Sequence, residues 1–330
     1  MFREYYQLTS LLNTDFRITE KIPLQKIEDD LLQEKEISLY VLRLDLTHPQ
    51  ISGNKWFKLK YNLQEAKRQG KTTLLTFGGA YSNHIVATAA AGKEFGFNTI
   101  GIIRGEELEA APPAPLHRRG EQSAKNQVLQ FAEKCGMELR FVSREQYREM
   151  RSNPYPFISL YPYSYFLPEG GTNVLAVKGC AEITSLIDIP FNYIACAVGT
   201  GGTIAGIISS LKENQKAIGF PVLKGGDFLK DEIEKLVTSS QVLSLRAKSR
   251  SEKKQFELKT EYHFGGYAKK NNELLNFIAD FNSNHNIPLD FVYTGKMMFG
   301  VFDLVKKDFF EKGKTVVAVH TGGIPALTPD

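Results

Sequence analysis

Short apolar runs at 38–44, 72–77, 98–103, 138–142, 193–198 and 315–320 alternate with helix-like segments, and this alternation constrains the chain more than any other feature. The amphipathic segment 62–69 ends at Gly70, the alanine-rich stretch 83–95 at Gly96, and 121–135 at Gly136. A helix closed by glycine and followed by a new strand is the signature of a βαβ unit, because glycine takes the left-handed conformation that ends a helix. Repetition of the unit predicts an α/β fold with mostly parallel, helix-covered sheets.

At 330 residues the chain has room for about two such units of structure. The turn-rich segments 152–157 and 168–171 separate the early βα repeats from the later ones, which fits two α/β halves with a cleft between them. A net charge of +4 gives little attraction for a polyanion, and the densest basic stretch, 246–254, has no interleaved aromatic residue. It reads as a solvated face, so no nucleic-acid partner is expected. Cys135, Cys180 and Cys196 are odd in number and widely spaced, which suggests neither a disulfide framework nor a metal cluster. Residues 1–10 lack the apolar core of a signal peptide, and no stretch reads as a membrane span. A cytoplasmic protein in a reducing compartment is expected.

Chemistry-bearing residues collect where strands meet helices. After the run 193–198 comes Gly199-Thr200-Gly201-Gly202-Thr203, which opens a helix-like stretch. Such a turn lets an anion approach backbone N–H groups closely, and both threonines can add hydroxyl donors. It lacks the endings of the standard nucleotide-binding loops, so the anion stays unspecified here. Lys55 stands at the front of another helix-like run with Lys58 three residues on. A helix N-terminus and a second cation both disfavour the ammonium, which leaves Lys55 suited to nucleophilic or Schiff-base chemistry. The same two lysines also read as an exposed helix face. Ser82 precedes the alanine-rich helix, where the amides of Asn83 and His84 could receive a carboxylate, or where Ser82 simply caps. Tyr267, Tyr293 and the segment 319–327 follow; alone, the tyrosines read as core residues. Together the set offers an amine, a phosphate cradle, a carboxylate cradle and phenols that could move protons, which suits an amino acid handled through an aldehyde cofactor.

Taken in order, Gly53-Asn-Lys55, Gly78-Gly-Ala-Tyr-Ser-Asn-His84, Pro168-Glu-Gly-Gly-Thr-Asn173, Gly199-Thr-Gly-Gly-Thr203, Tyr293-Thr-Gly-Lys296 and His320-Thr-Gly-Gly323 resemble the 1-aminocyclopropane-1-carboxylate deaminase and D-cysteine desulfhydrase family of pyridoxal-phosphate enzymes. The resemblance is nearly full-length and implies a two-domain, three-layer αβα architecture of the tryptophan synthase β-like type. Residues 68–165 would form the small domain, and 1–67 with 166–330 the large one. It further implies that Lys55 bonds to the cofactor aldehyde, that Asn54, Lys58, Gly199, Thr200, Gly201, Gly202 and Thr203 help hold the cofactor, that Asn83 faces its ring, and that Thr294 meets the ring nitrogen. Ser82, Asn83, His84, Tyr267, Tyr293 and Thr321 would lie on the substrate side, with Lys55, Ser82, Tyr267 and Tyr293 as the catalytic candidates. No metal is implied; a homodimer is.

Family members acting on the cyclopropane substrate resemble one another in a glutamate and a leucine where this chain has Thr294 and Thr321. A carboxylate holds a pyridine nitrogen protonated and strengthens the electron sink, whereas a hydroxyl does so less. Loss of a thiol from the β-carbon asks less of the ring than opening a cyclopropane. The expected reaction is therefore D-cysteine to pyruvate, sulfide and ammonia, with cyclopropane deamination the alternative. D-serine and β-chloro-D-alanine are further substrates to weigh, and a catalytically silent amino-acid or cofactor binder on the same fold is the alternative of another class.

Overall fold

The structure, a computed structural model, describes residues 21–106, 126–243 and 255–323. Residues 107–120, the start of the expected 121–135 helix, the whole basic stretch 246–254 and residues 324–327 lie outside the described residues.

Two sheets organise the chain. The larger has the order β1-β2-β10-β7-β8-β9, from Leu24–Ile27 (β1), Ser38–Leu42 (β2), Thr315–Val319 (β10), Tyr193–Val198 (β7), Lys216–Pro221 (β8) and Phe256–Leu258 (β9). Only β1 runs antiparallel; every other pairing in it is parallel. The smaller sheet is wholly parallel, ordered β5-β4-β3-β6, from Met137–Val142 (β5), Asn98–Arg104 (β4), Thr73–Gly79 (β3) and Ser164–Leu167 (β6). The expected α/β class with mostly parallel sheets is what forms.

Helices connect the strands: Asp30–Glu34 (α1), Asn54–Arg68 (α2), Asn83–Phe95 (α3), Gln127–Lys134 (α4), Arg144–Ser152 (α5), Tyr155–Ile158 (α6), Val174–Cys180 (α7), Gly202–Ser210 (α8), Leu229–Leu243 (α9), Asn272–His285 (α10) and Thr294–Lys306 (α11). None among the described residues is long and apolar enough to cross a membrane.

Side-chain alternation along the central strands separates the two faces of the large sheet. Val317 and Val319 join Ile194, Cys196 and Val198 against Leu59 and Leu63 of α2, Val177 of α7 and Ile204 of α8. Val316 and Ala318 join Leu39, Val41 and Ala195 against Met297, Val301 and Val305 of α11 and Phe281 of α10. Both faces are therefore covered, giving three layers. The small sheet is treated likewise: Ile103 packs with Ile85 and Ala89 of α3, while Phe77, Ile100 and Ile102 pack with Tyr147 of α5.

Candidate active site

Three strand ends converge on one pocket. Its walls include Asn54, Lys55 and Lys58 from the start of α2, Ser82, Asn83 and His84 after β3, Gly199, Thr200, Gly201 and Thr203 after β7, Tyr293 before α11, and Thr321 after β10. Parallel strands deliver their carboxyl ends, and the helix N-termini that follow them, to a common edge, which is where α/β proteins bind ligands.

Local geometry holds Lys55 in place. Gly53 has φ 68° and ψ −143°, a conformation essentially restricted to glycine, and a β-carbon there would fall 2.0 Å from the Thr321 carbonyl oxygen. Its own N–H donates to Leu44 O at 3.0 Å, and the Asn54 N–H donates to Thr321 O at 3.1 Å. The Asn54 amide then reaches Thr203 Oγ1 at 2.7 Å, tying the lysine turn to the glycine loop.

Lys58 is buried and spreads its donors over Gly170 O at 2.9 Å, Thr172 Oγ1 at 3.1 Å and Thr200 Oγ1 at 3.4 Å. Among the described residues neither lysine has a carboxylate partner. Burial, and secondarily the Lys58 charge, holds the Lys55 amine well below the ordinary lysine range, and burial lowers Lys58 as well. The leading cause is thus burial by the surrounding protein rather than the helix field.

Across the pocket, Ser82 is the N-cap of α3, its hydroxyl accepting from the Ile85 N–H at 3.4 Å. Thr76 Oγ1 lies 2.9 Å from Leu167 O, to which it donates its single proton. It must then accept from His84 Nε2, 2.8 Å away. His84 is accordingly the Nε2–H tautomer, and burial followed by the charges of Lys55 and Lys58 keeps it neutral. Its Nδ1 and the Asn83 carbonyl oxygen are buried without a partner. Unsatisfied groups of this kind at a pocket wall are what a bound polar ligand would complete.

Three expected site residues stand off the pocket wall. Gly202 is not part of the wall; a β-carbon there would meet Thr172 Oγ1 at 2.8 Å and Lys58 Nζ at 3.3 Å. Thr294 is fully buried in the first turn of α11, and its hydroxyl donates to Asp290 Oδ2 at 2.6 Å while its oxygen accepts from the Asp290 N–H at 2.9 Å. It lies behind the wall because the helix start turns it toward Asp290. Tyr267 sits outside Tyr293, with ring centroids 6.1 Å apart at 71°, and its hydroxyl approaches Tyr81 O at 3.4 Å. Burial raises both phenols, Tyr293 well above its ordinary value with Tyr267 adding to the effect, so both stay protonated.

Sequence reasoning assigned no part to Gly170, which lines the pocket and receives Lys58, or to Asp290. The Asp290 carboxylate accepts from the N–H groups of Val292, Tyr293 and Thr294 at 2.8, 2.7 and 3.0 Å, and so caps α11 from three residues upstream of Tyr293. An aspartate just ahead of a helix is a start signal that could have been read.

A family model described as pyridoxal-phosphate dependent enzyme matches residues 14–322. The chain belongs to this pyridoxal-phosphate-dependent family. A Pyrococcus furiosus protein provisionally named 1-aminocyclopropane-1-carboxylate deaminase is 32% identical over 87% of this chain and 84% of its own length. The mitochondrial bifunctional D-cysteine desulfhydrase/1-aminocyclopropane-1-carboxylate deaminase of Arabidopsis thaliana is 29% identical over 88% of this chain and 73% of its own. A crystal structure described as an ACC deaminase homologue superposes with a TM-score of 0.76 at 26% identity, covering 93% of this chain and 91% of that one. The protein is therefore a pyridoxal-phosphate-dependent enzyme of the tryptophan synthase β-like fold type. Its pocket suits that cofactor: a buried lysine whose amine is held below its ordinary range, a loop and helix N-terminus with backbone donors, and the partnerless Asn83 side-chain oxygen are all present.

Proposed function

We propose that the enzyme is a lyase that eliminates the β-substituent of a small amino acid, with D-cysteine as the leading substrate. The observation that carries this reading is the makeup of the pocket wall: among the described residues it holds hydroxyls, amides, a neutral imidazole and two lysines, but no carboxylate. With no acidic group at the wall to keep a pyridine nitrogen charged, a substrate bearing a good leaving group is favoured over one whose carbon ring must be opened.

Bound pyridoxal phosphate supplies an electron sink for the α-carbon. The residues of the chain do the rest. The Gly199–Thr203 backbone, the Thr200 and Thr203 hydroxyls and Lys58 would hold the phosphate, and the Asn83 side chain would meet the ring. Ser82 and the free amides at the start of α3 take the substrate carboxylate, as a helix N-terminus favours an anion. Lys55, its amine held well below the ordinary lysine range by burial, receives the α-proton at Nζ. Tyr293, protonated and facing the pocket, delivers a proton to the departing sulfur. The C–S bond breaks as the C–H electrons form the Cα–Cβ double bond, and water converts the released aminoacrylate to pyruvate and ammonia.

Turnover on D-cysteine, L-cysteine and 1-aminocyclopropane-1-carboxylate, read as pyruvate, sulfide and 2-oxobutanoate, tests the proposal. Sulfide and pyruvate in equal amounts from D-cysteine are expected. Preferential 2-oxobutanoate release would replace the reading with deamination, and a spectral change on ligand addition without any keto acid would mark a silent binder.

A further inference from the structure

One stripe of α11 accounts for the path of a separate segment. Residues 296, 299 and 303 lie three or four apart and so share a helix face, and Tyr293 stands at the N-cap just before them. Each meets a residue of the segment 262–267: Asp303 Oδ2 accepts from the Tyr262 hydroxyl at 2.6 Å, Phe299 packs edge-on against Phe264 at 5.0 Å, and Tyr293 packs against Tyr267. Between them Lys296, 1% exposed, donates to His263 O at 2.8 Å and Gly266 O at 2.7 Å.

The backbone between and just after those carbonyls is unusual. Phe264, Gly265, Gly266 and Ala268 have φ of 52°, 94°, 121° and 56°. Two residues with β-carbons thus occupy the left-handed region, which persists only where the surroundings over-determine it. The His263 carbonyl already accepts from the Gly266 N–H, and the Gly266 carbonyl from the Lys269 N–H. A third, charged donor gathers both carbonyls to one point and fixes the turn that ends at Tyr267. Burying an ammonium there with no ion-pair partner among the described residues is costly; burial pulls it down to about 8, with Asp290 opposing. Such an arrangement is expected where position matters more than stability.

We propose that Lys296 is a positioning residue for the substrate side of the pocket: by clamping the His263 and Gly266 carbonyls it holds Tyr267 against Tyr293. The proposal rests on the reading that Tyr293 faces the substrate.

The test uses the holoenzyme with Lys296→Met, which keeps the buried stem and removes the donors. Backbone amide exchange at 264–269 should quicken at least about tenfold, while the amides of α2 and α8 and the absorbance of the bound cofactor stay as in the parent. KM for D-cysteine should rise about tenfold with a smaller change in kcat, and Lys296→Met should add nothing in a Tyr267→Ala background, since both changes act through one ring. Tyr267→Ala alone, with Lys296 present, should keep the turn protected. Unchanged exchange in Lys296→Met, loss of protection in Tyr267→Ala, or additive effects of the two changes would each overturn the proposal. The exchange measurements need no turnover, so a wrong substrate assignment and a wrong role for Lys296 give different results.

Discussion

Lys55 and Lys58 stand three residues apart on one helix with no carboxylate partner among the described residues, and that arrangement has consequences for both stability and reactivity. Burial lowers the Lys55 amine first, and Lys58 lowers it further. A cation whose folded pKa is depressed binds fewer protons folded than unfolded, so its contribution to stability becomes more favourable as pH rises toward the ordinary lysine value. Lys55→Met should therefore make the cofactor-free protein more stable near neutral pH, by about 1 kcal/mol or more. The gap to wild type should shrink as pH approaches 10.5, the ordinary lysine value. Thermal unfolding of both proteins across that range measures it, and a gap that widens with pH would contradict the account. The same variant must lose the visible absorbance of the lysine-bound cofactor, whereas Lys58→Met should retain it and react with the aldehyde more slowly at neutral pH, because removing a neighbouring cation raises Lys55. At this scale the sequence was most legible: the lysine pair, Ser82 at its cap and the 199–203 glycines could be named because their chemistry is local. The dominance of burial over the helix field could not, since enclosure is made by residues from all three strand ends.

Among elements, α11 was the least foreseen, and it sets the back of the site. Its entrance carries Tyr293, which cannot cap a helix, so Asp290 supplies the cap by accepting three backbone N–H groups and the Thr294 hydroxyl. Asp290→Ala leaves those donors without partners and should cost about 2 kcal/mol of stability. It should also release Tyr293 and raise KM, because the helix start that orients the phenol would fray. Asp290→Asn keeps one acceptor oxygen and should fall between the two. Equal unfolding midpoints for wild type and Asp290→Ala would count against the cap. Strands tell a parallel story. The six runs read from the sequence are all strands, yet β1, β6, β8 and β9 escaped: β6 and β9 have only four and three residues, and β8 ends in Gly-Phe-Pro. Each is stabilised by pairing in its sheet rather than by its own pattern.

On the scale of the whole molecule, the order of the large sheet places β10, the last strand in the chain, between β2 and β7. That insertion brings Thr321 beside Gly53 and Asn54, contacts across more than 260 positions that no local pattern announces. It also makes the pocket a junction, because Ser82, Asn83 and His84 come from the small sheet while Lys55, the 199–203 loop and Thr321 come from the large one. A ligand held by both sets of residues stabilises their contact as well as itself. Pyridoxal phosphate at one hundred times its dissociation constant should stabilise the protein by about 2.7 kcal/mol. The gain should appear as one cooperative transition moved to higher temperature rather than as the selective protection of one sheet. Pyridoxal, which lacks the phosphate, reaches Lys55 but not the loop, so it should shift the transition less. Amide exchange separates the outcomes: on cofactor addition, protection should rise in α3 of the small sheet and in α8 of the large one together. Protection confined to α8 would mean that the cofactor is held by the large sheet alone and that Asn83 does not reach it.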